Sequence, residues 1–189
     1  SAIAVLNTTA INYSCTISLR WYDNPGIWTV NATIKDYSGV EANANSSFSL
    51  GATTSIVFQP TTLTWSSITI DQYNVSAAGS GIKFNNTGNV APSNIRAKGI
   101  DLSAVGYSSI IPALNFTSST NSNNPNMCDY SSTSDTIRLV NNTATNIPGA
   151  SLPYGADVSE FLYFCIHQAP ATLSQATYNT TQGGAWTLD

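Results

Sequence analysis

Between positions 11 and 21 the chain alternates without a break. Ile11, Tyr13, Cys15, Ile17, Leu19 and Trp21 are apolar, and Asn12, Ser14, Thr16, Ser18 and Arg20 between them are polar. Successive side chains of a strand leave the backbone on opposite sides, so this period of two predicts a strand with one wet face. Tyr22-Asp23-Asn24-Pro25-Gly26 then predicts a turn, because Pro25 fixes φ and Gly26 accepts φ > 0. A second alternating run follows, with Trp28, Val30, Ala32 and Ile34 on one face and Thr29, Asn31, Thr33 and Lys35 on the other. Residues 11–35 are therefore expected to form a hairpin whose apolar face, Cys15 included, is buried in the core.

The remaining chain reads as shorter pieces of the same kind. Asp36-Tyr37-Ser38-Gly39 is a turn signal, and residues 42–47 read as a polar crossing. Strands are expected at 55–58, ended by Gln59-Pro60 and resumed at 63–65, and again at 82–84, 95–98, 100–102, 137–140, 177–179 and 185–188. Residues 117–126, dense in Ser, Thr and Asn, read as a loop. Phe161-Leu162-Tyr163-Phe164-Cys165-Ile166 has no alternation and reads as a central strand buried on both faces. No window combines helical period with caps. Runs of this length, roughly every 8–12 residues, predict an all-β, Ig-like or jelly-roll-like sandwich of roughly 8–11 strands. The expected organisation is a short N-terminal strand and tether over 1–10 and a single sandwich domain over 11–189, with a hairpin unit ending near Leu50 as the alternative boundary.

Composition narrows the class of function. Charged residues make up 8% of the chain, against about a quarter in ordinary domains, yet four Trp, nine Tyr and six Phe are ample for a core. Ser, Thr and Asn must then keep the surface wet. Six Lys+Arg against ten Asp+Glu, with no basic cluster, argue against nucleic acid and anionic membrane as partners. No apolar run approaches the length of about 18 that spans a bilayer. A start at Ser1-Ala2-Ile3 without Met reads as a mature chain after signal-peptide removal. N-x-S/T sequons stand at Asn7, Asn12, Asn31, Asn45, Asn74, Asn85, Asn115, Asn141 and Asn179. Two of them, Asn12 and Asn31, fall on the wet face of the opening hairpin, and together these features predict a secreted, N-glycosylated, cell-surface protein.

The residues offer little catalytic chemistry, and the chain is expected not to be an enzyme. His167 is the sole histidine, two positions from Cys165 on the expected central strand. No metal-binding spacing, nucleophile elbow or phosphate loop occurs, so neither metal nor cofactor is expected. The carboxylates are scattered, mostly at turns. Three cysteines allow three pairings with one thiol left over. The distance from Cys15 to Trp28 is that of immunoglobulin strands B and C, but Cys15 and Cys165 lie about 150 residues apart, too far for such a domain. Cys128–Cys165 is favoured, since it would pin the Asn/Ser-rich loop to the central strand, leaving Cys15 unpaired.

The segment from Cys15 through Tyr22-Asp23-Asn24-Pro25-Gly26 and Trp28-Thr29-Val30-Asn31 to Lys35-Asp36 and Ser38-Gly39 resembles secreted archaeal β-sandwich proteins. So do Asn86-Thr87-Gly88-Asn89-Val90 and the closing Leu162-Tyr163-Phe164, Tyr178-Asn179 and Trp186-Thr187-Leu188. Such proteins include surface-filament subunits, the glycosylated threads and bundling pili, similar to the bacterial biofilm fibre protein of the TasA type. The resemblance implies head-to-tail homopolymers in which the N-terminal segment of one subunit completes the sheet of the next. Here Ser1, Ala2, Ile3, Ala4, Val5 and Leu6 would be the donor strand and residues 7–10 its tether. The alternative is a cell-surface adhesin or carbohydrate-binding sandwich that stacks sugars on Tyr107, Tyr130 or Tyr154.

Overall fold

The structure is a computed structural model that describes residues 2–7, 10–123, 126–129, 135–156 and 158–189, with side chains from Ser14 onward. Sixteen strands run through these residues. In chain order they are β1 (Ala2–Asn7), β2 (Ala10–Ser14), β3 (Gly26–Lys35), β4 (Glu41–Leu50), β5 (Ile56–Gln59), β6 (Tyr73–Ser76), β7 (Ile82–Asn86) and β8 (Arg96–Lys98). They continue with β9 (Leu102–Ala104), β10 (Ile110–Ile111), β11 (Phe116–Ser119), β12 (Thr136–Arg138), β13 (Ala144–Asn146), β14 (Ser159–Gln168), β15 (Tyr178–Asn179) and β16 (Thr187–Leu188). The fold is an all-β sandwich. Several strands are only two or three residues long, so runs that read as one extended piece divide into short ladders.

The largest sheet has the order β12-β11-β14-β7-β5, with β6 also paired to β14. Two three-stranded sheets, β10-β9-β15 and β13-β8-β16, complete the body. The core lies between them: Ile82, Phe84, Phe116, Leu162, Phe164 and Ile166 from the large sheet form one buried cluster with Ala97, Leu102 and Ile111 from the small ones. Strand β14 explains its own lack of alternation. Leu162, Phe164 and Ile166 face this cluster, while Cys165 on the opposite side is buried against Met127 and Cys128 in a second one. The Cys128–Cys165 disulfide is present, with a Cα–Cα distance of 5.2 Å.

Residues 117–119 are not loop. They belong to β11, fully buried between β14 and β12. Two of the three hydroxyls find backbone, while the buried Ser118 Oγ has no hydrogen-bond partner among the described residues: Thr117 Oγ1 donates to the Met127 carbonyl at 2.6 Å, and Ser119 Oγ donates to that of Asp135 at 3.0 Å. Thr136 Oγ1 donates to Ser119 Oγ at 2.8 Å. Pairing of this kind is what lets a polar strand be buried, and the disulfide-tethered turn supplies the Met127 carbonyl for it.

The hairpin expected over residues 11–35 does not form: β2 pairs with β1 and β3 with β4, so residues 11–14 and 26–35 lie in separate two-stranded sheets. β3 and β4 pair over ten residues each, from Gly26↔Leu50 to Lys35↔Glu41, so residues 42–47 are strand rather than a crossing. Gly26 has φ 131° and Gly39 φ 88°, as their turns require. The face is as the alternation predicts, but it does not anchor the core. Among the described residues neither core cluster contains anything before Ile56, and Ile34 on that face is 58% exposed. The preceding strand is also shorter than expected: β2 ends at Ser14, and residues 15–20 have no strand partner. Cys15 is therefore an exposed free thiol rather than a buried hydrophobe, and Ile17, Leu19 and Trp21 are exposed with it. Alternation records which face a segment would bury; it does not supply the surface that buries it.

Two polar clasps hold the hairpin base to the body. Tyr154 Oη donates to Asn24 Oδ1 at 2.9 Å. Buried Asn89 accepts from the Thr53 N–H at 2.7 Å and donates to the Gly51 carbonyl at 2.9 Å, just beyond β4. The neighbouring Asn86 is also buried; it accepts from Gly88 N–H and donates to the carbonyls of Val90 and Leu152. The Asn86-Thr87-Gly88-Asn89-Val90 turn is thus an interior hydrogen-bonding device.

Candidate functional site

Three of the sheet edges converge on one cleft. β5 ends the large sheet, β15 ends the β10-β9-β15 sheet and β16 ends the β13-β8-β16 sheet, and residues of all three line a cavity of about 930 Å³. The unpaired stretch 61–68 and residues 173–180 form its walls. Ile82, Ala97, Leu102, Ile111 and Phe164 reach it from the core. Phe58, Leu63, Trp65, Tyr178, Trp186 and Leu188 along it are half-buried, so the cleft exposes apolar surface to water.

Its aromatic residues have their polar atoms already engaged. Trp186 Nε1 donates to the Ile100 carbonyl at 2.8 Å, and Trp65 Nε1 donates to that of Val75 at 3.2 Å. The Tyr178 hydroxyl is bonded to Ser109 Oγ and the Ser174 carbonyl. Trp65, Trp186 and Phe116 pack edge to face with centroids 5.0–6.0 Å apart, and Phe164 joins them at 6.0 Å. With indole and phenol groups turned to the protein, these residues offer hydrocarbon faces to an occupant. Thr61, Thr62, Ser66 and Ser67 supply a polar rim. Sheet edges beside an apolar trough are the two features that strand addition requires: backbone partners and pockets for alternate side chains.

At the other end of the chain, β1 takes the strand form expected of residues 1–6, Ser1 lying outside the described residues. It folds back on β2 with Ile3 opposite Tyr13 and Val5 opposite Ile11, and the register is interrupted between Val5 and Asn7. Thr8 and Thr9 of the expected tether lie outside the described residues. The pair β1-β2 forms its own two-stranded sheet.

The remaining predicted positions are dispersed. Asn31 and Asn45 are exposed and directly opposite each other on the polar face of the hairpin. Asn141 is exposed but tied to Asp101 through both its amide atoms. Asn115 donates to the Gln168 carbonyl at 2.6 Å, a bond that a sugar on that nitrogen would displace. Asn74, Asn85 and Asn179 are half-buried, and the side chains of Asn7 and Asn12 lie outside those described. Tyr107 and Tyr154 are exposed, but neither lines the cleft, and Tyr130 lies outside the described residues. Cys165 and His167 do not form a thiol–imidazole pair: the Cys165 sulfur is in the disulfide, and His167 Nδ1 lies 2.7 Å from the Cys128 carbonyl. Among the described residues no helix is long and apolar enough to cross a membrane, and no cluster of His, Cys, Asp and Glu could hold a metal ion.

Sequence reasoning missed the cleft. Its lining comes from eight or so separated segments, none with a motif of its own; the one available signal was the apolar alternation of Leu63 and Trp65 beyond Pro60. Comparison with protein-family models, with curated proteins and with solved structures finds no match.

Proposed function

We propose that this chain is a structural subunit of an extracellular filament and that its cleft accepts the N-terminal strand of a neighbouring copy. The observation that carries the reading is the size and setting of the cleft. A six-residue strand is about 20 Å long, occupies about 4.8 Å of sheet width and fills a layer about 10 Å thick, or about 950 Å³ in all. The cavity measures about 930 Å³ and touches three sheet edges. Residues 1–6 suit it chemically: they are uncharged, short and apolar, with Ile3 and Val5 at alternate positions. In a lone chain that segment rests on β2; transfer to another copy replaces a two-stranded ladder, marginal by itself, with an apolar trough.

Because donor and acceptor lie on different parts of the chain, the contact is head-to-tail and propagates. A disulfide belongs to an oxidising compartment, and the exposed sequons at Asn31 and Asn45 suit N-linked glycans on such a subunit. Adhesion to sugars through the cleft is less well supported, since the polar atoms of Trp65, Trp186 and Tyr178 are already bonded within the protein. The test is deletion of residues 1–7 followed by electron microscopy of protein with and without the deletion. The full chain should give fibres and the deleted chain only particles with the unfolding transition of the body retained. Fibres from the deleted chain would refute strand donation.

A further inference from the structure

Residues 63–65, expected to be a strand, alternate like one but belong to no ladder. From Thr62 to Ile68 the chain runs without a turn or bend. Leu63 and Trp65 are half-buried and pack on the core cluster, while Thr62, Thr64 and Ser66 are exposed. One side of this run lies along the end of β6. The Thr64 carbonyl accepts from Ala78 N–H at 2.7 Å, and Trp65 Nε1 donates to the Val75 carbonyl. Ala77 N–H points the other way, to the Phe164 carbonyl of β14 at 2.9 Å. Residues 62–66 therefore occupy the place of a further strand of the large sheet, outside β6. Among the described residues, the Thr64–Ala78 bond is the one hydrogen bond made by the backbone of residues 62–68.

We infer that the incoming strand of a neighbouring copy pairs antiparallel with the open edge of this run, Val5 opposite Leu63 and Ile3 opposite Trp65. This pairing rests on strand donation into the cleft, as proposed above, and adds the edge, the direction and the register. In a strand the N–H and C=O of one residue point to one side and those of the next residue to the other. With Thr64 turned to Ala78, the backbone groups of Leu63 and Trp65 are turned away from β6, and the run lines the cleft. Residues directly opposite in a ladder share a face. Bonding at Leu63 and Trp65 therefore brings two donor positions, two residues apart, onto the core side. Ile3 and Val5 are the β-branched pair at that spacing, and the small Ala4 between them then faces outward beside Thr64.

Direction and edge follow from the rest of the molecule. Every ladder between the described strands is antiparallel. The other edges at the cleft are short: β15 and β16 have two residues each, and β5 has four before Pro60. Residues 62–68 extend over about 23 Å, enough for the about 20 Å of a six-residue strand.

The test is disulfide trapping between two full-length chains, both carrying Cys15→Ser so that each added cysteine is the one free thiol. One chain carries Ala4→Cys. The other carries Thr64→Cys or, in parallel reactions, Thr62→Cys, Ser66→Cys, Val57→Cys of β5 or Thr187→Cys of β16. These five positions are exposed, and an unchanged circular dichroism melt will show that each variant folds. Positions 4 and 64 would form a non-hydrogen-bonded pair with Cα atoms about 4.5 Å apart, inside the disulfide range of about 4.4–6.8 Å. Positions 62 and 66 would lie about 8 Å from position 4, outside it. Mass spectrometry of the linked peptides should find the 4–64 link at least about tenfold above each of the others. Absence of the 4–64 link, or equal links to 62, 64 and 66, overturns the pairing. Preferred links to 57 or 187 overturn it too but leave strand donation standing, whereas fibres from the chain lacking residues 1–7 overturn both. The unsubstituted protein gives a second reading. Exchange of the Leu63 and Trp65 amides should slow at least about tenfold between dilute particles and fibres, and unchanged exchange there also overturns the pairing.

Discussion

Removing the Cys128–Cys165 disulfide tests how the body of the sandwich is stabilised. The bond joins positions 37 residues apart. In the chain-entropy account it acts mainly by restricting the unfolded ensemble, and a loop of that length corresponds to about 4 kcal/mol at 25 °C. The native state should survive the loss, because the Asn126–Cys128 turn is also held by the Thr117 hydroxyl and packs through Met127 on Cys165. The perturbation is Cys128→Ala with Cys165→Ala, which leaves small apolar groups at two positions with no exposed surface. Urea unfolding followed by far-UV circular dichroism should show a stability about 4 kcal/mol lower. For a chain of this length that is a fall of about 8–15 °C in melting temperature. Wild-type protein unfolded in the presence of a thiol reductant should match the double variant. A difference below about 1 kcal/mol would refute the reasoning, since the polar clasp and local packing would then hold the turn without the covalent link.

Two further substitutions probe the interior. Trp186→Ala removes the ring that meets Trp65, Phe116 and Phe164 and leaves the Ile100 carbonyl without its indole donor; a cost of about 3–5 kcal/mol is expected in the same urea assay. Asn86→Ala abolishes a buried amide with partners at Gly88, Val90 and Leu152, and should cost about 2–3 kcal/mol by leaving those backbone groups unpaired. Asn86→Asp should not restore the loss, because it returns the acceptor but not the donor.

How much of this was legible depended on whether the signal was local. Phe161-Leu162-Tyr163-Phe164-Cys165-Ile166 read as a doubly covered strand, and β14 is one, since a strand between two neighbours with a layer on each face needs apolar groups at successive positions. The disulfide was legible from three cysteines and a sense of which loop needed fastening. Alternation marked strands but not their partners. Residues 11–21 were expected to pair with 28–35, yet β2 pairs with β1 and β3 with β4, and Trp28, Val30, Ala32 and Ile34 share a face whether that face meets a core or water. Thr117 and Ser119 misled because a hydroxyl-rich run is ordinarily solvated, and the carbonyls that receive them belong to Met127 and Asp135. The cleft could not be read at all, because Phe58, Trp65, Tyr178 and Trp186 meet there only after the sheets have closed.

The position of β14 in the large sheet also governs the order in which this protein can be made. Strands β6, β7 and β11 all pair with it, and none of them pairs with another of the three. A ribosome delivers roughly 5–20 residues per second, so β7, which already has β5 on one side, waits several seconds for its second partner some 75 residues away. During that interval Ile82, Phe84 and Phe116 have no completed sheet to enter, and the nascent chain is most open to wrong pairings. Closure around a late central strand also gives a high contact order and slow folding. The apolar N-terminal strand and the β3–β4 hairpin are thus synthesised before the large sheet that makes up the body can close.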